Sequence, residues 1–166
     1  MARIAVVPYD SRWPAAFESE RRLLQPTLAP WLVGTIEHIG STAVPGLAAK
    51  PIIDIMAPVE SLSASRDAIA AVKGAAYCYF PYRADVMHWF CKPSDEVRTH
   101  HLHMVPYGSP LWHERIAFRE ALRAHPDLAS RYAALKRELA LRYAEDREAY
   151  TDAKADFIRE TLGRYA

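Results

Sequence analysis

The sequence predicts an α+β fold: a mixed β-sheet flanked by helices, with a helical C-terminal portion. Three observations carry that prediction. Runs rich in β-branched and aromatic residues fall before Pro106, at Leu32–Ile39, Pro51–Met56, Tyr77–Phe80, Val86–Cys91 and Arg98–Val105. From Ser109 the apolar spacing changes to that of helices and stays so to the end. No repeat, low-complexity tract or flexible linker divides the 166 residues, and 51% hydrophobic content is enough for one substantial core, so one domain is expected over 1–166.

Taken in order, Val6-Val7 offers an edge strand before the turn at Pro8-Tyr9. Asp10 or Ser11 then caps a helix that tolerates Pro14 in its first turn, carries Trp13, Phe17 and Leu24 at helical spacing, and is stopped by Pro26. Ser61 or Ser63 opens a second helix through about Lys73, with Gly74 as its C-terminal cap. The runs at Tyr77 and Val86 are joined by a connection containing Pro81, Arg83 and Asp85, and are expected to pair antiparallel. In the last strand Thr99, His101 and His103 share a wet face while Leu102 and Met104 point to the core. Ser109-Pro110 and His125-Pro126 each place Pro at the first position of a helix; Asp146 caps a third, with Tyr150, Ala153, Phe157 and Thr161 inward.

Composition excludes some partners. With 21 basic and 20 acidic side chains the net charge is only +1, and no Lys/Arg run stands out, so nucleic acid is not expected. No apolar run reaches the ~20 residues of a membrane span, and the apolar stretch after Met1 is short for a signal sequence, which makes a cytoplasmic protein the expectation. Cys78 and Cys91 lack a Cys-x-x-Cys spacing and are expected to be buried, reduced thiols.

The informative stretch is Glu37-His38-Ile39-Gly40-Ser41-Thr42, followed by Lys50-Pro51-Ile52-Ile53-Asp54-Ile55-Met56. Gly40 has no Cβ and Ser41 and Thr42 carry short hydroxyls, so a phosphate can approach the backbone where the first strand ends. Asp54 is a carboxylate in an apolar strand. A buried charge needs a partner, for which Lys50 and the histidines are available. The same dipeptide Gly40-Ser41 is equally the stuff of an ordinary turn.

That stretch, with Tyr9-Asp10-Ser11-Arg12-Trp13-Pro14, His101-Leu102-His103 and Tyr150-Thr151-Asp152-Ala153-Lys154-Ala155-Asp156-Phe157-Ile158, resembles the GrpB (UPF0157) family over nearly the whole chain. The resemblance implies a nucleotidyltransferase-like fold with no settled activity, and a module fused in some actinobacteria to dephospho-CoA kinase. It also implies a place for two carboxylates, two residues apart on one strand face; this chain has Asp54 and Met56 there. A thioether does not replace a carboxylate for a hard cation.

Three groups follow. Asp54, His101 and His103 are candidate catalytic residues, and with His38 a candidate ligand set for a divalent ion, Mg²⁺ or Mn²⁺ ahead of Zn²⁺. Gly40, Ser41, Thr42 and Lys50 are candidate phosphate contacts. Arg115, Arg119 and Lys154 border apolar helical stripes, from which they either reach solvent or lean over the sheet to hold a polyphosphate; Arg83 and Lys92 are lesser candidates. The expected ligand is an NTP or another small phosphorylated molecule, and the expected reaction is transfer of NMP to a small acceptor. The rivals are a non-catalytic regulatory module linked to coenzyme A metabolism and a His/Asp metal-dependent hydrolase.

Overall fold

In the computed structural model, which describes residues 5–165, five strands form one mixed sheet. They are β1 (Glu37–Ile39), β2 (Ile53–Val59), β3 (Cys78–Phe80), β4 (His88–Pro93) and β5 (Arg98–Pro106), arranged in the order β1-β2-β5-β4-β3. Only β2 and β5 run parallel; the other neighbours are antiparallel. The helices are α1 (Trp13–Leu28), α2 (Ala68–Ala71), α3 (Pro110–Ala124), α4 (Pro126–Arg142) and α5 (Arg147–Tyr165). Strand alternation sorts the sheet into two faces. Ile53, Ile55, Ala57, Phe90, Leu102 and Met104 meet Trp13, Leu24, Leu28 and Val72 on one. On the other, Met56, Trp89, Cys91 and Val105 meet Leu111 at the start of α3. Asp54, His101 and His103 belong to this second face.

The C-terminal half follows its sequence signals. The Ser109 hydroxyl accepts the Trp112 N–H at 3.3 Å, Asp146 Oδ1 accepts the Ala149 N–H at 3.0 Å, and Tyr150 and Thr161 are buried. The β3–β4 antiparallel pair forms as expected. Among the described residues no helix is long and apolar enough to cross a membrane.

Elsewhere local chemistry moves the boundaries. Gly34 at φ +106 interrupts the Leu32–Ile39 run, so Leu32 makes a lone bridge to Val59 and only Glu37–Ile39 pairs as β1. The second run enters the sheet at Ile53 and continues to Val59. Val7 likewise makes a single bridge, to Ala49. Asp10 does not cap α1, because its carboxylate is occupied by the Arg12 N–H at 2.8 Å and by the Arg12 guanidinium, and Arg12 takes the cap position. Pro26 does not end the helix either; it lies inside, and Thr27 Oγ1 donates to the Leu23 carbonyl at 3.1 Å. The expected Ser61–Lys73 helix shrinks to α2 and a 3₁₀ turn, since Ser61 Oγ accepts the Ala64 N–H and Ser65 Oγ donates to the Ser61 carbonyl, a local pattern that competes with helix. Ala76, at φ 67, takes the capping role expected of Gly74. Cys91 is buried but Cys78 only partly so, both being free thiols.

One polar staple holds α1 to the sheet. Glu20 forms an ion pair with Lys92 of β4 and accepts the Tyr77 hydroxyl at 2.7 Å. Lys92 is thereby placed on the face opposite Asp54, and is a structural residue.

Candidate functional site

The parallel register sets Asp54 beside His101 and Met56 beside His103, so carboxylate and imidazoles emerge together from the second face. Asp54 Oδ1 accepts from His101 Nδ1 at 3.1 Å and from His103 Nε2 at 3.2 Å. One ligand atom from each residue lies within 4.8 Å of the other two. Burial by itself would raise the Asp54 pKa, but the two imidazole donors outweigh it and hold the carboxyl well below the usual range. Burial also lowers His103, against the pull of Asp54, which favours a neutral ring. The remaining ring nitrogens, His101 Nε2 and His103 Nδ1, are buried without a partner. The Gly40 turn abuts the same carboxylate.

Cations gather around this triad. Arg115 of α3 has its Nε buried and unpartnered, and Lys154 of α5 and Lys50 before β2 lie with their ammonium groups 5.0 and 4.9 Å from the Tyr150 ring centre. Burial pushes Lys154 down to about 8, against Asp54 and with Arg115; burial and then the charge of Lys154 push Lys50 down to about 7. Ser41 borders the same space, beside the buried Tyr132 phenol.

Not every expected residue joins. His38 pairs with Ile55 in the register, which turns it to the first face; there it stacks on Phe17 at 4.7 Å and its Nε2 meets Thr42 Oγ1 at 2.9 Å. His38 is therefore outside the ligand set. Thr42, 2% exposed and bonded to His38, has no hydroxyl to give a phosphate. Arg119 is committed to Glu37 at 2.6 Å and to the His38 carbonyl at 3.1 Å, fastening α3 to β1. Arg83 is exposed at φ 49. The residue missed is Lys136, buried on α4 with its Nζ 2.6 Å from the Ala48 carbonyl. Its signal was available: Leu128, Tyr132, Lys136 and Leu139 recur at helical spacing, so a lysine stands in an apolar stripe.

A family model described as "GrpB protein" matches residues 3–164. The chain belongs to the GrpB family. A UPF0157 protein of Pseudomonas aeruginosa is 40% identical over 98% of this chain and 67% of its own length. The crystal structure of conserved protein GrpB from Enterococcus faecalis superposes with a TM-score of 0.84 at 32% identity, covering 97% of this chain and 99% of that one. A dephospho-CoA kinase of Mycolicibacterium paratuberculosis is 29% identical over 98% of this chain, which spans 46% of that relative.

The donor set of this GrpB-family chain fits a divalent transition-metal ion. Two imidazoles and one carboxylate suit Mn²⁺, Fe²⁺ or Zn²⁺ better than Mg²⁺, and three protein ligands leave positions for a substrate or water. Met56 supplies no second carboxylate: it is a thioether, fully buried among Ile39, Val105 and Leu111.

Proposed function

We propose that the protein binds a nucleotide, or a kindred phosphorylated small molecule, together with one divalent cation on Asp54, His101 and His103, in a cleft of nucleotidyltransferase type. The observation that supports this most is the charge balance of the cleft. Lys50, Lys154 and Arg115 surround a single carboxylate, Asp54, which two imidazoles already engage. Buried cations without counter-charges are costly, and a phosphate chain supplies the missing charge.

Each residue has a distinct task in this reading. Gly40 leaves room for the carboxylate, and Ser41 offers a hydroxyl at the edge of the cleft. Arg115 and Lys154 take the phosphate oxygens, and Lys50, which also rests against the Tyr150 ring, adds charge. Asp54, His101 and His103 would hold the cation, which would supply charge neutralisation and Lewis-acid polarisation to a bound phosphate. Transfer of NMP from an NTP to a small acceptor, in which an acceptor oxygen bonds to the α-phosphorus as pyrophosphate leaves, is the reaction this arrangement serves. The likeness to a dephospho-CoA kinase supports a second reading, in which the cleft senses a phosphorylated ligand of coenzyme A metabolism without turning it over.

Thermal melts with NTPs, with and without Mn²⁺, test the proposal. Binding at 100 times Kd stabilises by about 2.7 kcal/mol. A nucleotide shift that Mn²⁺ enlarges is expected, with the Mn²⁺-dependent part lost in Asp54→Ala; no shift with any nucleotide overturns it. Release of labelled product from α-labelled NTP separates the transferase from the sensor.

A further inference from the structure

We infer that Lys50, Lys136 and Lys154, gathered about Tyr132 and Tyr150, form a polyphosphate subsite that holds its ligand without a metal ion. The inference deepens the reading of the cleft as a phosphate site and adds Lys136 to it.

The three lysines reach this space from separate elements: Lys50 ahead of β2, Lys136 from α4 and Lys154 from α5. Lys50 and Lys154 rest on the Tyr150 ring at 4.9 and 5.0 Å, and Lys136 on the Tyr132 ring at 4.9 Å. None of them forms a salt bridge among the described residues, whereas Lys92 on the opposite face has Glu20. Asp54 is the one carboxylate whose charge reaches all three, and it is engaged by His101 and His103. Burial first, and then the charge of Lys154, depress Lys50 and Lys136 to about 7, with Asp54 pulling the other way. A second observation is independent of charge. The Tyr150 hydroxyl is wholly buried and unpartnered, a donor that a bound oxygen would satisfy.

The charge count selects the ligand class. One carboxylate or a monoester phosphate leaves cationic excess, while a di- or triphosphate chain matches three ammonium groups. Aromatic faces hold the ammonium groups in place when no anion is present. Because the lysines carry this charge match themselves, the chain binds before any ion arrives at the triad.

Calorimetry on metal-stripped protein, with orthophosphate, pyrophosphate and tripolyphosphate as titrants, tests the subsite. Tripolyphosphate should bind tightest and orthophosphate weakest, and Lys136→Met and Lys154→Met should each weaken tripolyphosphate at least tenfold. The Lys154 ammonium makes no hydrogen bond among the described residues, whereas that of Lys136 donates to the Ala48 carbonyl, so Lys154→Met decides the question if Lys136→Met does not fold. Wild-type protein that binds no tripolyphosphate until Mn²⁺ is added, or folded lysine variants that bind it as well as wild type, would overturn the subsite. Mn²⁺ titration of the same samples keeps the two readings apart: lysine-dependent binding of tripolyphosphate in a protein that takes up no Mn²⁺ upholds the subsite while the metal centre falls.

Discussion

Gly40 and Asp54 are matched by what Gly40 lacks: a Cβ built there would stand 2.7 Å from Asp54 Oδ2 and 3.1 Å from Asp54 Cβ. Gly40 also has φ 74 and ψ −173, a conformation open in practice to glycine alone. Gly40→Ala should therefore cost about 1–3 kcal/mol of stability from backbone strain and also displace the carboxylate. The check is a denaturant melt paired with Mn²⁺ titration. Mn²⁺ affinity should fall at least tenfold in the variant at temperatures where it remains folded.

Arg115 and Arg119 lie one turn apart on α3 yet should behave oppositely. Arg119→Ala removes the 2.6 Å contact to Glu37 and the bond to the His38 carbonyl, so it should destabilise by about 1–3 kcal/mol and leave phosphate affinity unchanged. Arg115→Met should keep or raise stability, because it deletes a buried unpartnered donor, and should weaken nucleotide binding. Chemical denaturation and nucleotide calorimetry on both variants give the two orderings.

Met56→Asp would add the second carboxylate of a two-metal site, but the position is fully buried in an apolar cluster. The buried charge should cost about 3 kcal/mol or more and lower the melting temperature before any gain in Mg²⁺ affinity can be read. Met56→Leu, which conserves volume, should cost under about 1.5 kcal/mol.

His38 gives the fold a pH dependence. Its pKa falls from 6.5 to about 4, chiefly through burial, so the unfolded chain binds more protons than the folded one between those values. Its contribution is complete above pH 6.5 and is lost as pH falls toward 4, with an upper limit of about 3 kcal/mol. His38→Gln, which can still bond to Thr42, should flatten the fall in stability between pH 6.5 and 4.5. Urea melts at the two pH values measure it.

Strand alternation made much of the candidate site legible. The i, i+2 spacing of His101 and His103, and a lone carboxylate in an apolar strand, are local patterns that survive folding. The same rule applied across the β1–β2 register would have removed His38, because Ile39, one residue on, is the partner of Asp54. Arg115 and Arg119 could not be separated in this way. Helical spacing puts both on one side of α3, and only Glu37, 82 residues away, decides which is consumed. Hydroxyl-rich segments hid their structure for another reason: Ser61 and Ser65 satisfy backbone groups that a helix would have used.

The position of β5 bears on how the chain is made. β5 follows β4 in sequence, yet it lies between β2 and β4 in the sheet. While Arg98–Pro106 is still inside the ribosome, the emerged chain carries two unpaired inner edges, each flanked by residues that end wholly buried, such as Ile55, Met56 and Phe90. Synthesis from β2 to β5 is thus the interval in which a nascent chain has most to gain from a chaperone and is most exposed to edge-to-edge association.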